Sequence, residues 1–232
     1  MRRTRFTILL MTCVIAGCAG SQGLHSDRLR EILKQEESRF VGLQASPPPA
    51  MSSTKPAAPA LGLYLKPTGF LHREFEWTAG DRDTVLAWAR DILPGAAATS
   101  AGFVPMSSLK GDSFAELRAS ATRYSFDLLV LIDGAAAVDR YNNYKAPLLY
   151  WTIIGAYFAD GTQSDALCLV TGSVWDVKTG ALLFSEQTEG RAQAVGPAAF
   201  VDDDQVVLTA RRQALAELLR KLKHRLAGRQ NP

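Results

Sequence analysis

Cysteine is scarce in this 232-residue chain: there are three, Cys13, Cys18 and Cys168. Two fall at the extreme N-terminal end, so Cys168 stands alone and no internal disulfide framework can staple the fold. Cys168 lies in an apolar run and reads as a buried small hydrophobe, not a reactive thiol. Histidine is as rare, and His25, His72 and His224 are far apart, with no metalloprotease or zinc-knuckle spacing among them. The sequence also lacks a G-x-S-x-G elbow, a phosphate-cradling glycine loop and a dinucleotide fingerprint. No metal and no cofactor is therefore implied. No apolar run reaches the roughly 20 residues that a membrane-spanning helix needs.

What is present begins at the N-terminus. Arg2, Arg3 and Arg5 precede an uncharged stretch, residues 6–15, which is followed by Ala16, Gly17 and Cys18. This is the n-region, h-region and small-residue order of a secretory signal. Ile15-Ala16-Gly17-Cys18 also fits a lipobox, in which small residues give a signal peptidase access to the bond between Gly17 and a lipid-bearing Cys18. Residues 1–17 are thus expected to be removed and Cys18 to carry lipid. Ala19, in place of an aspartate, favours the outer membrane, with the protein facing the periplasm. The signal holds three of the 26 basic residues and none of the 23 acidic ones, so the mature chain balances at 23 against 23. A global basic field for nucleic acid or anionic lipid is not supported.

Along the mature chain, residues 18–60 read as a lipidated start, a short amphipathic helix and a tether. Leu29, Ile32, Leu33, Phe40 and Val41 recur at helical spacing within residues 24–43, with Ser26 as N-cap. That helix has three open destinations: the domain, the lipid surface or a partner. Residues 46–59, rich in proline, alanine and serine, read as a spacer that could hold the domain some tens of ångströms from the lipid. A single periplasmic domain is expected over residues 61–228, with a tail at 229–232. Leu61, Leu63 and Leu65 alternate as in a strand, residues 81–93 form a helical stripe ended by Pro94-Gly95, and a second strand is plausible over residues 99–106. Ser113-Phe114-Ala115-Glu116 is a capping box that opens another helix. Residues 126–133 form a central strand covered on both faces, and residues 167–177 and 181–188 form a hairpin around Lys178-Thr179-Gly180. A long helix over residues 202–226 closes the chain, with Asp202, Asp203 and Asp204 at its positive end. The order β-α-β-α-β, then a β-hairpin and a long C-terminal helix, predicts an α/β (α+β) fold with helices packed on a mixed sheet.

Two clusters could carry function. Asp133, Asp139 and Asp176 could pair in a cleft as acid and base, although carboxylates at strand ends are commonly solvated turn formers. Tyr141, Asn142, Asn143, Tyr144 and Lys145 form a polar-aromatic stretch that reads as an exposed interaction patch, ahead of a more apolar aromatic run in residues 147–158.

The block Leu148, Leu149, Tyr150, Trp151, Thr152, Ile153, Ile154, Gly155, Ala156, Tyr157 resembles the rhombotarget lipoprotein family of bacteria. The likeness is supported by residues 126–132, by Val174-Trp175-Asp176-Val177 and by Leu182-Leu183-Phe184, and it covers residues 61–226 in element order. A Ser-rich stretch and short aromatic motif associated with that family are not evident near the mature N-terminus. The resemblance implies no assigned activity, and the family name points to rhomboid-type proteases of the sorting kind. At fold level the hairpin and final helix are also similar to periplasmic lipoproteins of the curli-channel and penicillin-binding-protein-activator type, which transfers no residue roles. The favoured expectation is a lipid-anchored, non-enzymatic interaction or accessory module of the cell envelope, held to the membrane by its lipid and bound to an envelope protein partner. Homo-oligomers are left open. The alternatives are a ring-forming subunit of an outer-membrane export channel and an envelope hydrolase using Asp133, Asp139 or Asp176.

Overall fold

The structure, a computed structural model, describes residues 21, 23–41, 59–66, 76–93, 101–109, 113–142 and 160–230. In chain order these form α1 (Ser26–Val41), β1 (Leu61–Leu65), α2 (Ala79–Ile92), β2 (Ala101–Phe103), a 3-10 turn (Met106–Ser108), α3 (Phe114–Arg123), β3 (Leu128–Asn142), β4 (Thr162–Asp176), β5 (Leu182–Gly196) and α4 (Asp203–Gln230).

Local chemistry sets the helix starts. The Thr78 hydroxyl accepts from the Asp81 amide, and the Asp81 carboxylate accepts from the Thr78 amide, so α2 opens on a reciprocal capping box. Ser113 caps α3 by accepting from the Glu116 amide at 3.4 Å. Asp202 caps α4 by accepting from the amides of Asp204 and Gln205.

The five strands form one mixed sheet in the order β2-β1-β3-β4-β5. β1 pairs in parallel with β2 and β3, while β3–β4 and β4–β5 are antiparallel. All five residues of β1 are buried, as a strand covered on both faces requires. Gly180, at φ 74°, supplies the left-handed turn between β4 and β5. The expected α/β class and element order are observed. The sheet is larger than expected at one end, because β3, β4 and β5 each run for 15 residues.

Helices cover both faces. On one, α4 and α2 pack over Leu61, Leu63, Val130, Ile132, Cys168, Val170 and Val174. α4 comes closest at Gly190 of β5, where the absent side chain lets the helix backbone at Ala210 and Ala214 reach the strand. On the other face, α3 covers Leu129, Leu131 and Trp175, and α1 lays Leu29 and Leu33 over Ala135, Leu167 and Leu169. Of the three destinations left open for residues 24–43, α1 takes the domain. Leu29, Leu33 and Phe40 are each at most 6% exposed, and each such burial contributes about 1.5–3 kcal/mol. The proline-rich stretch therefore follows an element that is already docked and joins two parts of one folded unit.

Candidate functional site

β3 continues past the end of β1, and that overhang shapes the site. Leu128 donates its amide to Ala60 and Ile132 accepts from Lys66, so even-numbered residues of β3 direct their backbone groups toward the β1 side and odd-numbered ones toward β4. The β1–β3 register ends at Leu65 opposite Ile132. Beyond it, the backbone N–H and C=O groups of Ala136, Val138 and Arg140 face outward with no hydrogen bond to any described residue.

These groups line a cleft of about 900 Å³. One wall is the start of α1 with Leu24, Arg28 and Ile32; the other is the start of α4 with Gln205, Val207 and Leu208. Several of the charges around it are engaged. The Arg140 guanidinium donates to Ala198 O at 2.6 Å and Val201 O at 3.3 Å and lies 3.5 Å from Asp203. Arg211 and Asp81 form a buried ion pair at 3.2 Å, and Arg211 also donates to Glu76 O. A strand edge that no described residue pairs with, in a cleft of mixed lining, has the chemistry to receive an extended main chain: peptide groups match the edge and alternate side chains meet the walls.

Asp139 has a different task from the acid–base role considered above. Its Oδ2 accepts from Ser21 Oγ at 2.5 Å and from the Gly23 amide at 2.9 Å, which fixes the chain ahead of α1 onto β3. Asp133 lies six residues away along the strand, under α1, where it accepts from Lys66 Nζ at 3.2 Å and from the Gly134 amide. Asp176 stands at the opposite end of the sheet, opposite Leu128, and accepts from the Thr179 amide and hydroxyl in the turn. The structure does not bring the three aspartates together, and each is committed to a structural bond. The pairing of these aspartates in one cleft as acid and base is not observed.

Under α1, Lys66 also lies 3.6 Å from Glu36 and 5.3 Å from the Phe40 ring centroid. Glu37 shares a small cavity with Lys66 and Asp133. Burial first, and then the charge of Asp133, raises the Glu37 carboxyl above its ordinary value, while Lys66 opposes them.

Of the polar-aromatic patch, Tyr141 and Asn142 are the last residues of β3 and are half-buried. The Tyr141 hydroxyl donates to Asp165 at 3.0 Å, and Asn142 accepts from Thr162 Oγ1 at 3.2 Å. Desolvation, that hydrogen bond and the charges of Asp165 and Asp139 raise the Tyr141 phenol. Asn143, Tyr144 and Lys145, the motif Leu148, Leu149, Tyr150, Trp151, Thr152, Gly155, Ala156 and Tyr157, and Gly17 and Cys18 lie outside the described residues. Among the described residues, no group of three His, Cys, Asp or Glu side chains converges on a metal position, and no helix is long and apolar enough to cross a membrane.

Sequence reasoning missed the β3 edge that no described residue pairs with, and the Asp139 link. The available signal was the alternation of residues 134–142, blurred because alanine occupies both faces of the strand there.

No protein-family model and no curated protein matches the chain. Among solved structures, a neuraminyllactose-binding hemagglutinin homolog from Helicobacter pylori overlays with a TM-score of 0.40 at 10% identity, over 76% of this chain and 90% of that one.

Proposed function

We propose that this protein is a lipid-anchored periplasmic lipoprotein, a non-enzymatic interaction module of the bacterial cell envelope that captures an extended segment of a partner along the edge of β3 that no described residue pairs with. The observation that carries the reading is the set of outward backbone groups at Ala136, Val138 and Arg140, which no described residue pairs with, inside a cleft of mixed polar and apolar lining. Strand addition satisfies those groups and needs no catalytic residue. The lipobox at residues 15–18 supports the anchor, and the resemblance to rhombotarget lipoproteins extends the proposal to a partner within a rhomboid-type protease system. The hydrolase alternative is disfavoured by the commitments of Asp133, Asp139 and Asp176.

A photo-crosslinking residue at Val138, in living cells, tests it. Crosslinks to an envelope protein are expected there and are expected to disappear with Ala136→Pro, which removes one outward N–H without touching the β3–β4 ladder. Absence of any crosslink from Val138 in folded, lipidated protein would overturn the edge as the capture surface.

A further inference from the structure

We propose that the β5–α4 turn, with its exposed Phe200, contacts the lipid bilayer. The inference depends on lipidation of Cys18 as proposed above, and it goes further by assigning an orientation.

The argument is one of chain length. Ser21 and Gly23 are bonded to Asp139, and α1 follows with Leu29 and Leu33 buried on the sheet. Only residues 19 and 20 separate Cys18 from Ser21, so the lipid-bearing residue lies within about 10–11 Å of Ser21 even when that link is fully extended. The proline-rich stretch comes after α1 and adds nothing to this distance. Asp139 is three residues from the end of β3, or about 10 Å at strand rise. The lipid-bearing residue is therefore held close to this end of the sheet.

That end presents apolar surface. Phe200 is 70% exposed and Val195 is 53% exposed. Register places Gly196 beside Thr162, and Thr162 beside Asn142. The turn is held in shape: Phe200 N donates to Pro197 O at 2.9 Å, and the Arg140 guanidinium donates to Ala198 O and Val201 O. An aromatic ring on a braced turn loses little entropy on entering the headgroup region, where such rings are favoured. Arg140 is engaged by Ala198, Val201 and Asp203, so the proposed contact rests on the Phe200 ring and not on that guanidinium.

The experiment uses the full lipidated chain in phosphatidylethanolamine vesicles containing nitroxide-labelled lipid. An environment-sensitive dye is placed on Ala199→Cys, in the turn, or on Leu182→Cys, at the opposite end of β5. Cys168 is buried, with its thiol pushed up to about 12, and does not compete for the dye. Strong quenching and a blue shift are expected at 199, with no quenching above the lipid-free baseline at 182. A long Gly/Ser insert between Gly20 and Ser21 is expected to abolish quenching at 199 while vesicle flotation persists. Floating protein with equal signals at the two positions, or with quenching at 199 that survives the insert, overturns the seating and leaves the anchor standing. Protein that fails to float overturns the anchor and, with it, the seating.

Discussion

Gly190 is the position where one methyl group should cost most. It sits on β5 opposite Cys168, facing α4, and Ala210 and Ala214 of α4 are both fully buried against the sheet. A Cβ on Gly190 would collide with the Ala210 carbonyl oxygen and lie 2.7 Å from the Ala214 amide nitrogen, where ordinary contacts are 3.4–4 Å. Both obstacles are backbone atoms, so no rotamer change relieves them. The helix must retreat by about an ångström, which forfeits a quarter to a half of the dispersion well for each contact along the seam. That seam includes Leu215, Leu218, Leu219 and Leu222. The hydrogen bond from Thr188 Oγ1 to Ala214 O, 2.7 Å long, stretches with it. Overpacking costs about 1–3 kcal/mol and the lost bond about 1 kcal/mol, so Gly190→Ala should destabilise by roughly 2–4 kcal/mol. Thermal unfolding followed by circular dichroism should show a drop of roughly 5–15 °C. Gly172→Ala is the internal comparison, because the atoms nearest its Cβ would be Leu218 and Leu222 methyl groups, at 3.0–3.2 Å, and those side chains can move. A Gly190→Ala protein as stable as the parent, or less perturbed than Gly172→Ala, would refute this account of the helix–sheet contact.

The Asp81–Arg211 pair is buried at both ends, so Asp81→Asn should cost about 3–5 kcal/mol by leaving an uncompensated cation. In urea unfolding the double variant Asp81→Leu/Arg211→Met should lose less than either single change, and additive losses would count against a paired role. Glu37 has a folded-state pKa above its unfolded value. Its protonated form therefore favours the folded state below the unfolded value near 4.5, and that contribution is lost as pH rises through the folded value. Glu37→Gln should consequently stabilise the protein at neutral pH and leave it little changed at low pH; parallel melting curves for both proteins across that window would contradict the placement of Glu37 beside Asp133.

Much of the fold was legible because its signals are local. Ser113, Gly180 and the Asp202–Asp204 run each sit where a cap, a turn or a helix dipole requires them. The apolar residues of β1 and of early β3 announce strands buried on both faces. The continuation of β3 was not legible. Gly134, Ala135, Ala136 and Ala137 carry little strand preference, and what holds them extended is pairing with β4 and the cover of α1, both of which are tertiary facts. The destination of α1 was hidden for the same reason. An amphipathic helix behind a lipobox suits a membrane as well as a sheet, and the decision rests with Ala135, Leu167 and Leu169, more than a hundred residues downstream. The candidate aspartates look alike in sequence, yet Asp133 meets a lysine, Asp139 a serine hydroxyl and Asp176 a turn. Partner identity, and not residue type, separates them.

The most direct test of the account is incorporation of a clickable fatty-acid probe in cells making either the parent or Cys18→Ser. The parent should carry the probe and sediment with membranes, and Cys18→Ser should carry none and appear in the soluble periplasmic fraction. Equal labelling of the two proteins, or an unlabelled parent, would contradict the lipid anchor on which the orientation and the capture role both rest.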